Sequence, residues 1–168
     1  MSGIKCIFAW QQKHRYTRMS NPIKLTIHRA DTSSRLSIPM ATATVRAGFP
    51  SPAQDYMSED IDLNEVLIKN REATFYVRIS GDSMTNAGIM DGDLAIVDKA
   101  LEARDGDIVV AFIDGDFTIK QFRMDKSGLY GWLLPWNEHY PKILVNEENN
   151  FIIWGVVTYV IHAVLRHS

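Results

Sequence analysis

Residues 108–122, IVVAFIDGDFTIKQF, carry the pattern that decides the fold. Two apolar runs are joined directly by the triplet Asp114-Gly115-Asp116. Asp-Gly between apolar runs is the strongest short-range indicator of a β-hairpin, because both residues tolerate the positive φ angles of a tight turn. The stretch therefore predicts antiparallel strands at residues 108–113 and 117–122.

Further strands are predicted on both sides of this hairpin, from short apolar runs bounded by turn residues. They cover residues 74–79, 94–97, 129–134 and 151–164. One short helix is predicted at about residues 62–69, where Asp60 and Asp62 precede a short apolar stripe. The fold class is therefore mainly β, an open or barrel-like assembly of short strands with one short helix.

The N-terminal quarter of the chain has a different composition. Residues 1–47 are rich in Ser, Thr, Lys, Arg and Met and predict an extended arm, while Pro50 and Pro52 make residues 48–60 a linker. Residues 48–168 form the predicted folded domain. Met19-Ser20-Asn21-Pro22 looks like an alternative translation start, which would make residues 1–18 an extension.

Composition argues against several classes of protein. The 168 residues carry 18 Lys and Arg against 20 Asp and Glu, a net charge of −2, so no basic excess points to strong direct DNA binding. No apolar run reaches the roughly 18 residues that span a bilayer, and residues 1–20 lack the apolar segment of a secretory signal. The single cysteine, Cys6, excludes an internal disulfide and favours a reducing cytoplasm.

Ser80-Gly81-Asp82-Ser83-Met84 is the first candidate for chemistry. Gly81 lets the backbone turn sharply after the predicted strand. A serine just past such a turn can present its hydroxyl beside neighbouring backbone N–H groups, as a nucleophile with an oxyanion hole requires. The same composition is also ordinary for a turn without any activity.

Lys120 is the second candidate, and two interpretations of it stay open. Strand alternation puts Thr118, Lys120 and Phe122 on one face, but the other face also carries a phenylalanine. The side chain could extend along a strand edge into solvent. Alternatively the amine is buried, and its lowered pKa would leave a neutral population that can accept a serine proton.

Three ordered segments resemble the LexA/UmuD family of self-cleaving Ser/Lys proteins, of the S24 type. They are Ala47-Gly48-Phe49-Pro50, Ser80-Gly81-Asp82-Ser83-Met84 and Phe117-Thr118-Ile119-Lys120, in the order cleavage site, nucleophile, base. Their spacings of 36 and 37 residues are those of the UmuD branch. The resemblance covers about residues 45–164 and implies a LexA/UmuD-type peptidase fold of short, strongly twisted strands.

The resemblance also implies a mechanism and partners. Lys120 would deprotonate Ser83, Ser83 would attack the carbonyl of Ala47, and the backbone N–H groups of Ser83 and Met84 would hold the oxyanion. The residue 48–168 fragment would begin at Gly48 and be the active form. The implied partners are a second copy of the chain, a RecA–single-stranded-DNA filament and a UmuC-like Y-family DNA polymerase in the SOS response. No metal or other cofactor is expected.

Other functions stay open at this point. A LexA-like repressor would need a DNA-binding domain of about 60 residues before the cleavage site, and only 46 residues precede Ala47. A signal-peptidase-like enzyme would share the Ser/Lys chemistry but would need a membrane anchor. A third alternative is a non-catalytic accessory protein that keeps the fold. The Asp-Gly-Asp triplets could suggest a metal site, but turn chemistry accounts for them and they lack the spacing of a calcium loop.

Overall fold

The computed structural model describes residues 27–30, 37–41, 58–146 and 151–165, with the backbone alone for residues 37–41, 58 and 59. The strands are β1 Ile27–Arg29, β2 Ser37–Ala41, β3 Ser58–Asp62, β4 Thr74–Arg78, β5 Leu94–Asp98, β6 Ile108–Ile113, β7 Asp116–Met124, β8 Gly131–Leu134, β9 Ile143–Val145 and β10 Phe151–Ile161. Helix α1 spans Leu63–Leu67, and a 3-10 turn spans Thr85–Ala87.

Eight of the strands form one sheet in which every pairing is antiparallel. Their order is β1-β4-β5-β10-β6-β7-β8-β9, and β2 pairs with β3 in a separate two-stranded sheet. The long strand β10 lies between β5 and β6 and joins the two halves of the larger sheet. The predicted mainly β fold with one short helix is confirmed.

The structure contains the β-hairpin predicted at residues 108–122. The turn between β6 and β7 consists of Asp114 at φ 50° and Gly115 at φ 101°, the positive angles that a two-residue hairpin turn requires. This turn sets Phe112 opposite Phe117 and Val109 opposite Lys120. The register therefore fixes which face of β7 each side chain occupies.

The core has two parts because successive strand residues point to opposite faces. In β6, Val109, Ala111 and Ile113 belong to one apolar cluster, while Val110 belongs to the other. The first cluster includes Phe122 of β7. The second is built from β4, β5, the segment between them and one residue of β6. Its buried members are Val77, Ile79, Met84, Ile89, Ala95, Val97 and Val110.

Several predicted boundaries need correction. Helix α1 is shorter than predicted, and Asp62 caps it by accepting a hydrogen bond of 2.9 Å from the Asn64 N–H. Residues 58–60, predicted as the end of a linker, belong to β3, because that segment pairs with β2. The strand predicted at 129–134 begins at Gly131, and the strand predicted at 151–164 ends at Ile161.

The predicted extended arm contains two strands that its polar composition did not reveal. Both β1 and β2 lie within residues 1–47. In β2, Pro39 lies opposite Asp60 of β3, and proline within a sheet favours an edge strand. The proposed translation start and residues 42–57, including the linker prolines, lie outside the described residues.

Candidate active site

Ser83 lies in a turn that follows β4 and is held by the segment leading into β5. Gly81 has a φ of 95°, which supplies the sharp bend. Its backbone N–H donates to the Asp91 carboxylate at 2.7 Å. The backbone groups of Ile79 bond to Gly92 and Asp93 at 3.0 and 2.9 Å. The Asp91-Gly92-Asp93 triplet is therefore the support of the turn that carries the serine.

Met84, directly after the serine, anchors the turn in the core. Its side chain is only 1% exposed and packs in the cluster with Ile79 and Ile89. Its carbonyl accepts hydrogen bonds from the N–H groups of Ala87 and Ile89. Because residue 84 is fixed by apolar packing, the adjacent Ser83 is held at the margin of the core, half-buried.

Lys120 projects from β7 and is buried. The residue is 6% exposed, so the interpretation of a solvent-directed lysine is wrong and the buried-amine interpretation is confirmed. Lys120 shares its face with Val109 of the neighbouring strand and with Phe122. Both of these side chains are buried and apolar, so the lysine stem lies in apolar surroundings.

The lysine amine lies 2.7 Å from the Ser83 hydroxyl oxygen. It also contacts the Thr118 hydroxyl and the Ile119 carbonyl, each at 2.9 Å. A neutral amine has two N–H donors and one lone pair, and a carbonyl oxygen can only accept. When Ile119 and Thr118 accept the two N–H groups, the lone pair is left directed at the proton of Ser83.

Burial makes that neutral form accessible near physiological pH. Desolvation lowers the pKa of Lys120 from 10.5 to about 8, because the charged amine loses water. Within the described residues, no carboxylate forms an ion pair with Lys120 that would restore the charged form. The amine therefore has the properties of a general base that works slightly above neutral pH.

A cleft of about 510 Å³ opens beside the two groups. Its lining is mostly apolar and extends over the edge of β7, since both Ile119 and Lys120 face it. Strand β8 pairs with β7 only from Gln121 onward. In the described part of the chain, no strand pairs with residues 117–120 on the side away from β6, so the backbone there is open to an extended peptide.

The structure thus brings the predicted Ser83 and Lys120 into hydrogen-bond contact across 37 residues of sequence. No described residue accepts a hydrogen bond from the backbone N–H of Ser83 or Met84, the two groups predicted to hold the oxyanion. The predicted cleavage-site residues Ala47 and Gly48 lie outside the described residues.

Sequence reasoning missed the groups that support the site. The role of Thr118 could have been inferred, because strand alternation places it on the same face as Lys120. No sequence pattern indicated that Asp91 or the loop of residues 135–142 would support the site. That loop reaches the serine turn from between β8 and β9, where Trp136 donates its N–H to the Ser83 carbonyl at 2.9 Å.

Comparison with known proteins identifies the family of the chain. Residues 39–158 match the family model described as Peptidase S24-like. The chain belongs to the peptidase S24-like family. The match begins within β2, ends within β10 and includes both Ser83 and Lys120. Family membership supports a serine peptidase. The resemblance to the LexA/UmuD family is thereby confirmed.

The share of a relative's length that this S24-like chain covers differs from one relative to another. It is 37% identical to protein MucA of Salmonella typhimurium over 147 residues, which cover 86% of this chain and 97% of MucA. It is 46% identical to protein SamA of the same species over 124 residues, covering 74% and 84% of the two chains. It is 38% identical to a LexA repressor of Carboxydothermus hydrogenoformans, covering 70% of this chain but 56% of the repressor.

Hydrogen bonds to neighbouring groups engage several of the aspartates that could have suggested a metal site. Asp93 accepts the Met90 N–H at 2.8 Å and lies 2.6 Å from His162 Nδ1, and Asp107 accepts the Arg104 N–H at 2.8 Å. Among the described residues, no three His, Cys, Asp or Glu side chains are grouped to hold a metal ion. No helix within that part of the chain is long and apolar enough to cross a membrane.

The lowered pKa of Lys120 predicts a specific dependence of stability on pH. Between about pH 8 and 10.5 the unfolded chain holds a proton on this lysine that the folded chain has released. The free energy of unfolding should therefore gain a contribution as pH rises through this range. Urea denaturation at pH 7, 8, 9 and 10 measures it, in a Ser83→Ala background that removes the candidate nucleophile.

Lys120→Met in the same background is the matched control, because it keeps an unbranched side chain and removes the titrating group. The difference in free energy of unfolding between the Lys120→Met protein and the protein that keeps Lys120 should be largest at pH 7, in favour of Lys120→Met. This difference should decrease toward pH 10. A difference between the two proteins that is constant over this range contradicts a buried amine with a lowered pKa.

Proposed function

We propose that this protein is a self-cleaving Ser/Lys endopeptidase that cuts its own chain between Ala47 and Gly48. The observation that carries the proposal is the 2.7 Å contact between the Lys120 amine and the Ser83 hydroxyl, made by a lysine that is 6% exposed. A serine hydroxyl is a weak nucleophile until a neighbouring base removes its proton, and a desolvated lysine is such a base.

The reaction has two halves. The Ser83 oxygen attacks the carbonyl carbon of Ala47 as its proton passes to Lys120. The bond to the Gly48 nitrogen then breaks, and Lys120 returns the proton to the departing amine. A water molecule hydrolyses the ester between Ala47 and Ser83 with Lys120 again as base, which regenerates the serine.

The open edge of β7 supports a substrate that belongs to the same chain. In the described part of the chain, residues 117–120 pair with β6 but with no strand on their other side, and an extended peptide can add to such an edge as a further strand. Strand β2 ends at Ala41, six residues before Ala47, so at most about 22 Å of extended chain separates them. Ala47 and Gly48 are small enough to lie close to the serine turn.

We further propose that cleavage is stimulated by a RecA–single-stranded-DNA filament in the cytoplasm. The residue 48–168 fragment, as a homodimer, would then act as a subunit of a UmuC-like, error-prone translesion polymerase in the SOS response. This rests on the sequence resemblance to the UmuD branch, and the near-complete coverage of MucA supports it.

Charge gives cleavage a physical consequence. Residues 1–47 carry eight Lys and Arg against one acid, Asp31, a net charge of +7, so residues 48–168 carry a net charge of −9. Cleavage would separate a basic arm from an acidic domain. A fragment of this charge would reach DNA through partners, because direct binding depends on neutralising phosphates with basic side chains.

A LexA-like repressor is the second candidate function, favoured by the 38% identity to a LexA repressor. The matched region covers 56% of that repressor but 97% of MucA. Operator binding that depends on salt in a gel-shift assay would support the repressor.

Self-cleavage at one bond is the first expected outcome. Intact-mass analysis after incubation at pH 8.5 with RecA filaments should show a product of residues 48–168. Ser83→Ala and Lys120→Ala should each abolish the product, and the double variant should be no slower than either single variant, since the two groups act as one unit. A product with another N-terminus, or wild-type cleavage by Lys120→Ala, contradicts the assignment.

The cleavage rate should follow the neutral fraction of Lys120. With a pKa of about 8, the first-order rate should rise about fivefold between pH 7 and pH 8 and level off above pH 9. Quantified gel bands over a pH series provide the measurement, with circular dichroism at each pH as the control for folding. A profile that is flat from pH 6.5 to 9 would show that the base is not this lysine.

Cleavage should switch the choice of partner. The residue 48–168 fragment should capture a Y-family polymerase and support lesion bypass better than the uncleaved Ser83→Ala protein, because cleavage changes the charge and exposed surface together. The control is the Ser83→Ala form of the fragment, which should behave as the wild-type fragment does. Equal capture and equal bypass by the uncleaved protein contradict the switch.

A further inference from the structure

The loop of residues 135–142, between β8 and β9, forms hydrogen bonds with the two peptide groups on either side of Ser83. Trp136 donates its backbone N–H to the Ser83 carbonyl at 2.9 Å, and the Trp136 carbonyl accepts the Asn86 N–H at 2.9 Å. The side-chain amide of Asn137 donates to the Asp82 carbonyl at 3.0 Å. The loop thus holds the carbonyl oxygens of two consecutive residues.

The orientation of the Asn137 amide is fixed by a second contact. Its Oδ1 atom accepts the His139 backbone N–H at 3.1 Å, so its nitrogen is the atom turned toward Asp82. The Asn137 carbonyl also accepts the Tyr140 N–H, which folds the loop back on itself. The Tyr140 hydroxyl donates to the Asp82 carboxylate. Asn137 is therefore a fixed donor whose position is set by its own loop.

Holding these carbonyl groups also sets the direction of two N–H groups. In a trans peptide the C=O and N–H bonds point in opposite directions. A hydrogen bond to the Asp82 carbonyl therefore aims the Ser83 N–H away from the loop, and one to the Ser83 carbonyl does the same for the Met84 N–H. No described residue accepts from either N–H, so both are available to a ligand.

We propose that Asn137 is a positioning residue for the oxyanion hole, and that it acts by holding the Asp82–Ser83 peptide. The inference rests on the proposed nucleophilic role of Ser83. Oxyanion stabilisation depends on donors that are already oriented before the charge develops, so freedom of this peptide would weaken the transition state without touching the base. The Trp136 N–H performs the same task for the next peptide through the backbone.

Asn137→Ala tests the inference, because it removes the 3.0 Å amide donor and leaves the Asp82 carbonyl with the longer 3.3 Å bond from the Thr85 N–H. The substitution also leaves the Ser83–Lys120 contact in place. Loss of a direct oxyanion donor costs about a hundredfold or more in rate, so loss of its support should slow self-cleavage by about tenfold. The pH at half-maximal rate should stay near 8, since Lys120 is not in contact with Asn137. Glu138→Ala is the matched control: within the described residues, this exposed neighbour makes no hydrogen bond to residues 82–84.

Two chemical probes separate positioning from general damage. A fluorophosphonate reacts when the Ser83 oxygen attacks phosphorus and displaces fluoride, with the hydroxyl proton passing to Lys120, and the phosphoryl oxygen needs the oxyanion hole. Labelling should therefore slow by a similar factor in Asn137→Ala. In a Ser83→Cys variant with a Cys6→Ser background, the new sulfur attacks the methylene carbon of iodoacetamide and displaces iodide, with the thiol proton passing to Lys120. This reaction forms no oxyanion. Its rate should be unchanged by Asn137→Ala.

The outcomes are distinguishable. Wild-type rates of cleavage and fluorophosphonate labelling in Asn137→Ala overturn the inference and leave the proposed function intact. Slower alkylation together with a shifted pH midpoint also overturns it, since the substitution would then have disturbed the dyad. A wild-type chain that labels at Ser83 but does not cleave itself contradicts the proposed self-cleavage, while a labelling defect in Asn137→Ala supports the inference. A wild-type chain that neither labels at Ser83 nor cleaves itself contradicts both the inference and the proposed function.

Discussion

The register of the β6–β7 hairpin is the constraint on which the site depends. The turn at Asp114 and Gly115 sets Val109 opposite Lys120, and this pairing puts the lysine on a buried face. A slip of one residue would move Lys120 to the opposite face of the sheet and carry its amine away from Ser83. The hydrogen bond between the two side chains joins residues 37 apart in sequence, so a local turn determines a long-range contact.

Two further segments support the same contact from different directions. Asp91 holds the entry of the serine turn, and the loop after β8 holds its exit. Met84 fixes the base of the turn through its burial in the core. Ser83 itself contributes little to its own placement, because the residues that fix it lie in three separate parts of the chain.

Local sequence pattern predicted most of the larger sheet but little of the arm. Strands such as β6 and β7 combine apolar runs with turn residues that have a clear physical preference. Strand β3, with the sequence SEDID, has no such pattern, and it becomes a strand through its pairing with β2. The position of β10 between β5 and β6 also depends on long-range pairing that no local window contains.

For the candidate site, the order of the motifs singled out the Ser83 and Lys120 side chains that the structure brings into contact, but it did not predict their environment. Phenylalanine on both faces of β7 left the burial of Lys120 undecided in the sequence. The structure decides it, because the register places the lysine opposite Val109 and the residue is 6% exposed. Asn137 gave no indication at all, because its contribution depends on how a distant loop meets a peptide group. Residues that position others are the part of a site that sequence patterns reveal least.

The two strands of the arm cover strand edges that would be exposed in the cleaved product. Strand β1 covers the outer edge of β4, and β2 is the partner of β3. A chain cut after residue 47 that released its arm would lose both, leaving two rows of backbone donors and acceptors open to whatever strand came near. Uncovered edges of this kind promote association between molecules, including aggregation. In the uncut chain the arm would then also prevent association through these strand edges. In the fragment, repulsion between molecules that each carry a net charge of −9 would have to oppose this association instead.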